Sequence, residues 1–530
     1  MSLFKKKETE NAAPKKAFNL RALKHGSYVA AIIAVVLVAV IVLNICTTLL
    51  ENNGYLKFDM TLAGDNTISE ENREFIENID TQVNITVLCN ESEYADGTLA
   101  NMAESYLGVA SDANYYAQTL TLLKQYAEIN DNVKVSFTDF YGTKTKTIGE
   151  IYPSLFFGDL YIEITEEDGT KQTKLVGFED IYPYSDQTGM AQYGMDYYYI
   201  DGNDIETALT SAINNLISGN EKVMGVLAAH SDTEIVTTFY QRQMELNGFT
   251  VSLIEDTIVK EIPEEVSVLV IAAPDSDLLP EELDAISKWL DNDGKYGRSL
   301  MFLPGTSMNS MPNLSEFLEE WGIKYNSGVL YQTDDTYHVP DAPTTMAVFP
   351  NESDISDDII PETGDGAILG GNLPMEEVDP AAGRTTNVIV STNDMTTIAP
   401  ADMADDWTPD DDALLESYPN LIVTSESTTI DGTVHSSYVS AFSSYDFIYS
   451  SWTQYSDLHN MGIAINTARF TSGMDLEAQK LFVTRTITND SYANSVTAAG
   501  SYTILIVFVI AVPVTLIIIG VVVWIRRRKR

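Results

Sequence analysis

The chain has 530 residues and a formal net charge of -46, from 31 basic and 77 acidic residues. Such an acidic surface repels phosphate, so nucleic acid is not expected among its partners. The two cysteines, Cys46 and Cys89, are too few for a disulfide framework, thiolate zinc or iron–sulfur chemistry, and a chain this long can bury several cores without covalent staples.

Residues 1–26 form a basic tail with Lys5, Lys6, Lys7, Lys15, Lys16, Arg21 and Lys24 against Glu8 and Glu10. Residues 27–48 are then apolar and uncharged, and so are residues 502–525, where Pro513 is the one helix-disturbing residue. About 20 apolar residues suffice to cross a bilayer as a helix, so each run is expected to do so. Residues 526–530 are all basic, and the positive-inside rule places both tails in the cytoplasm of a bacterial cell membrane. The tails hold 12 of the 31 basic and 2 of the 77 acidic residues, which leaves 19 against 75, a net -56, for the middle. That middle is expected outside the cytoplasm, with the tails against anionic membrane lipid. The alternatives for the first run are a cleaved signal peptide, which would show a shorter core and an A-x-A site, and a lipoprotein signal at Cys46, where the preceding Ile45 is too large.

Residues 51–220 read as a first α/β unit. A polar helix around 69–78 precedes a strand at 83–88, and a helix over 115–129 carries Leu120, Leu123, Tyr126 and Ile129 at helical spacing. Strands are expected at 133–137, 154–164 and 174–178, with a turn at Asp168-Gly169, and a helix over 204–217 closes the unit. Residues 221–345 alternate more clearly. Strands at 223–228, 249–254, 266–271 and 299–303 are interleaved with helices, among them one starting at Pro280-Glu281-Glu282 and one over 313–321. That alternation predicts a doubly wound, mostly parallel sheet with helices on both faces. In 346–500, strands are expected at 386–391 and 421–423 and a helix within 451–470; this segment completes or decorates the sheet. The expected fold class is therefore an α/β ectodomain flanked by N- and C-terminal transmembrane helices.

Several segments, taken in order, resemble the GldG-type, gliding-motility-like auxiliary component of ABC transport systems. They are Phe58-Asp59-Met60-Thr61, Thr67-Ile68-Ser69-Glu70-Glu71-Asn72, the 83–88 strand, Leu227-Ala228-Ala229-His230, the run from Ile271 to Leu278, the run from Pro312 to Ile323, Asn460 to Asn466, and the terminal arginine cluster. The resemblance spans nearly the whole chain. It implies a non-catalytic auxiliary subunit whose partners are an ABC permease and a cytoplasmic ATPase, with another membrane-anchored auxiliary protein as a further candidate. Where the family often has Gly-His-Gly-Glu, this chain has Ala229-His230-Ser231-Asp232 with Glu234 beyond, so a role peculiar to the glycine turn does not carry over.

The 221–345 unit also resembles the glutamine-amidotransferase-like fold, but it holds no cysteine nucleophile, and Ser276 lacks a G-x-S-x-G elbow. No phosphate loop or dinucleotide fingerprint occurs, and no cofactor is expected. Of the five histidines, none has zinc-protease spacing; His230 stands out because it follows a buried strand, where α/β sheets place ligands. Capping the next helix or bonding a loop carbonyl is the plainer reading of it. His230, Asp232 and Glu234, with Tyr197, Tyr198 and Tyr199 from a tyrosine-rich stretch, are the candidate ligand or interaction residues, although core packing is the commoner use of such tyrosines. The acidic clusters 354–358 and 405–412 lack EF-hand spacing and read as solvated surface. An independent envelope glycan- or peptide-binding sensor or adhesin is the alternative function, and an extracytoplasmic hydrolase a third.

Overall fold

In the computed structural model, residues 66–474 are described except 95, 111–114, 166–168, 186–197, 220, 306–307, 309, 362–365, 405–406 and 450–458; residues 476, 520, 522, 523 and 526 are described as well. Everything from 66 to 476 lies within one compact unit, Ala63–Ser495.

Ser69 caps the first helix, α1 (Glu70–Glu77), where its hydroxyl accepts from the Asn72 N–H at 3.3 Å. Strand β1 (Val83–Val87), helix α2 (Tyr115–Ile129) and strands β2 (Val133–Phe137), β3 (Leu160–Thr165) and β4 (Lys171–Val176) follow. They form a sheet in the order β2-β1-β3-β4, in which only β1 and β2 run parallel. Its core gathers Val83, Ile85 and Val87 with Leu122, Leu123 and Tyr126 of α2 and Leu209 and Ile213 of α3 (Ile205–Ser218). Helix α3 is buried on nearly every side, because one flank meets this core and the other meets the next lobe. There the Asn215 amide donates to the carbonyls of Glu245 and Leu246 at 3.2 and 3.3 Å.

The second lobe is built on β5 (Lys222–Leu227), β6 (Phe249–Ile254), β7 (Val266–Ala272), helix α4 (Pro280–Asp291), β8 (Ser299–Leu303) and helix α5 (Pro312–Glu320). Strands β9 (Ala342–Pro350), β10 (Arg384–Ser391), β11 (Pro419–Ile430) and β12 (Thr433–Phe442) and helix α6 (Asn460–Thr471) come from the later chain. Near-continuous apolar runs such as Val268-Leu269-Val270-Ile271 mark strands buried on both faces. Met224, Val226, Val268, Val270 and Met301 face one core with Tyr240 and α6, while Leu269, Ile271, Leu300 and Phe302 face another with α4 and α5. Helices thus cover both faces.

The expected fold class needs two corrections. The large sheet has ten strands and is mixed, not mostly parallel: β6-β5-β7-β8-β12 are parallel neighbours, but β12-β11-β10-β9 continue antiparallel. The cause is a hairpin, β11–β12, whose Asp431-Gly432 turn holds both residues at positive φ (50° and 86°) and so matches strand twist. It carries residues from beyond 346 into the parallel half and starts the antiparallel extension. Second, flanking transmembrane helices are not shown: among the described residues no helix is long and apolar enough to cross a membrane. The runs at 27–48 and 502–525 lie outside the described residues apart from positions 520, 522 and 523.

Candidate functional site

In the parallel half, the first strand in the chain, β5, sits between the second, β6, and the third, β7. The chain direction of winding therefore reverses between β5 and β7. In open α/β sheets the crevice at the carboxyl ends of that pair is the usual ligand position. Two loops border it, 228–232 after β5 and 273–277 after β7.

The first loop begins with a 3-10 turn, Ala228–His230, that turns the His230 side chain into the protein, where the residue is 7% exposed. Its Nε2 lies 3.1 and 3.2 Å from the two carboxylate oxygens of Glu282 on α4. Glu282 is itself buried and also accepts from the backbone N–H groups of Val259 and Leu279, both at 2.9 Å. Burial pushes the Glu282 carboxyl up, but those two N–H groups and His230 outweigh it and hold its pKa below the usual glutamate value. Nε2 faces the carboxylate, while Nδ1 is buried with no hydrogen-bond partner among the described residues.

The rest of the loop stitches the crevice shut. The Ser231 hydroxyl accepts from the Ala272 N–H at 3.1 Å, and the Asp232 N–H donates to the Ala272 carbonyl at 2.8 Å. Ala272 is the last residue of β7, so these bonds extend the β5–β7 pairing into the loop. The Asp232 carboxylate caps the short helix Thr233–Ile235, accepting from the N–H groups of Glu234 and Ile235 at 3.1 and 3.2 Å. The expected helix cap is thus Asp232 and not His230. Glu234 is exposed. Across the crevice, Ala273 takes positive φ (48°) while its N–H reaches the Leu303 carbonyl at 2.8 Å. Asp277 caps α5 by accepting from Asn313 and Leu314 at 2.9 and 3.0 Å.

The tyrosines belong elsewhere. Tyr198 and Tyr199 lie on the short strand Tyr198–Ile200 of a separate sheet, half-buried, and Tyr197 lies outside the described residues. The Tyr198 ring packs on Tyr184 at 5.6 Å between centroids, and the Tyr184 hydroxyl donates to Glu179 at 2.7 Å. His230 and Asp232 share one loop with Glu234 in the short helix after it, while Tyr198 and Tyr199 lie on a different sheet.

Chemically, His230 and Glu282 form a carboxylate–imidazole pair, the orienting half of a nucleophile relay. No bond from a hydroxyl or thiol to the remaining ring nitrogen is present among the described residues. Cys89 is buried in the first lobe, where desolvation pushes its thiol up to about 12, far from a reactive thiolate. Among the described residues no group of three or more His, Cys, Asp or Glu side chains is placed to hold a metal ion. Glu282 is the residue sequence reading did not single out. Its one local signal is the third position of a helix starting at Pro280, where a glutamate folds back onto the preceding N–H.

No protein-family model matches the chain, and no curated protein matches it. Among solved structures it is similar to one described as "mmIFT52 N-terminal domain", with 13% identity and a TM-score of 0.35, covering 48% of this chain and 99% of that one. A likeness of that depth carries no functional argument.

Proposed function

We propose that this chain is a non-catalytic auxiliary subunit of an ABC-type transport system at the bacterial cell membrane. Its acidic folded unit lies outside the cytoplasm and contacts substrate, envelope or partner, while a separate permease and ATPase move substrate and hydrolyse ATP. The observation that carries the reading is the ordered series of GldG-like segments, from Phe58-Asp59-Met60-Thr61 to the 460–466 stretch. The location rests on charge asymmetry in the sequence, basic at both ends and acidic between.

The crevice geometry supports the non-catalytic part. Ser231, Asp232, Asp277 and Glu282 are engaged in capping and cross-strand bonds at the place where related sheets keep ligand-binding groups. A loop bonded in this way holds its lobe rigid, which suits a domain that transmits or receives force from a partner.

Purification of the natively expressed, tagged chain from membranes in mild detergent tests the proposal. A permease and an ATPase are expected to co-purify in fixed ratio. Repeated recovery of the chain alone from intact membranes overturns it.

A further inference from the structure

A cleft of about 190 Å³ opens where the first lobe meets the second. Its floor is apolar, formed by Val176, Ala208 and Ala212 from one lobe and Leu246 and Phe249 from the other. Its charged lining consists of Lys174, Asp180, Glu221, Arg242 and Glu245. Arg242 is already engaged: its guanidinium pairs with the buried Asp204 carboxylate at 2.7 Å and donates to the Asp180 carbonyl at 2.5 Å. Lys174 stands 3.7 Å from Glu221, which also accepts from the Thr250 hydroxyl at 2.9 Å. Asp180, Asp204, Glu221 and Glu245 thus face two cations, leaving two negative charges in excess beside an apolar floor.

We propose that this cleft binds a short aliphatic diammonium compound, its ammonium groups on Asp180 and Glu245 and its methylene chain on the Val176–Phe249 floor. Two positive charges match the excess, and a cleft of about 190 Å³ holds only a short chain. The electrostatics agree. Burial raises the Glu245 carboxyl above its ordinary value, and Asp180 and Glu221 add to the rise despite Gln241 and Lys174. Asp180 is raised by burial as well, against the Gly177 N–H and the Arg242 charge. A bound dication would offset the part of that rise that comes from neighbouring carboxylates. The site is independent of any transport partner.

Isothermal titration of the purified full chain with 1,4-diaminobutane is the test, with 1,4-butanediol as the uncharged probe and n-butylamine as the single-charge probe. Saturable one-site binding is expected for the diamine, binding about tenfold or more weaker for butylamine, and none for the diol. Glu245→Gln and Asp180→Asn should each weaken diamine binding about tenfold or more, since each removes one charged hydrogen bond. Ala212→Leu should block the floor and abolish binding with every charge in place, circular dichroism confirming that each variant is folded. No saturable heat with the diamine, equal affinity for the diol, or unchanged affinity in Glu245→Gln and Ala212→Leu would each overturn the proposal.

Discussion

Replacing Glu282 by alanine removes the acceptor of the buried Val259 N–H, of the partly buried Leu279 N–H and of the His230 ring in one step. Each orphaned buried group costs about 1–3 kcal/mol, and here three donors lose one acceptor together. Water entering the small void beside the 228–232 loop would satisfy part of this, so a loss of about 3–4 kcal/mol is expected. Glu282→Gln keeps one acceptor oxygen but presents an amide N–H₂ to a second donor, so about 1–2 kcal/mol is expected there. Urea unfolding followed by tryptophan fluorescence measures both, since Trp289 and Trp321 lie in the core that α4 and α5 bury. Hydrogen exchange at Val259 and Leu279 localises the effect to the lobe that holds them. The pH dependence supplies a second check. The folded Glu282 pKa lies below its unfolded value, so its contribution is complete above the unfolded value and is lost as pH falls through the folded one. A Glu282→Ala variant within about 1 kcal/mol of the parent, or one whose acid sensitivity is unchanged, would refute the claim that this carboxylate ties the switch-point loops together.

Asp159 is buried, and burial raises its carboxyl to about 7 despite bonds from the Phe156 and Phe178 N–H groups. A raised acid pKa works in the opposite sense: the folded state holds the proton that the unfolded state releases, so stability should fall as pH rises from about 4 to about 7 and then level off. Asp159→Asn should flatten that fall in urea midpoints taken across the window. Arg242→Ala removes the ion pair to the buried Asp204 at the junction of the lobes and should cost about 3 kcal/mol, read as faster exchange along α3. Gly328 sits at φ 114°, and a Cβ there would meet Ile398 Cγ2 at 2.5 Å and the Ala399 carbonyl at 2.6 Å. Gly328→Ala should therefore destabilise by about 3 kcal/mol or more, or yield insoluble protein; a wild-type unfolding midpoint would contradict this.

The elements whose bounds could be read from sequence carry a local apolar signal, continuous as in β8 or periodic as in α2. Strands β6 (Phe249–Ile254) and β8 (Ser299–Leu303) and helix α2 (Tyr115–Ile129) match their expected bounds, because a short apolar run or a helical stripe states both kind and extent. Strand β11 shows the limit. Residues 421–423 were legible as an apolar core, but Pro419–Ile430 continues through Ser425, Ser427, Thr428 and Thr429, polar positions that only the neighbouring strand makes extended. The Asp431-Gly432 pair was a usable hairpin signal, and reading it would have turned the sheet from parallel to mixed before any coordinates.

The candidate site was legible only in part, because its chemistry depends on partners distant in sequence. His230 was singled out for its place after a buried strand, yet its buried contact is set by Glu282, 52 residues later. Local grammar assigns Glu282 to the start of α4, and that assignment holds, since its carboxylate does accept from Leu279. The same two oxygens then serve Val259 and His230, and no periodicity or spacing encodes that second use. Among the described residues Nδ1 of His230 has no hydrogen-bond partner, and the Ser231 hydroxyl accepts from the Ala272 N–H. The bonding of Ser231, like that of Glu282, joins the loop after β5 to neighbours in space that no local pattern around His230 states.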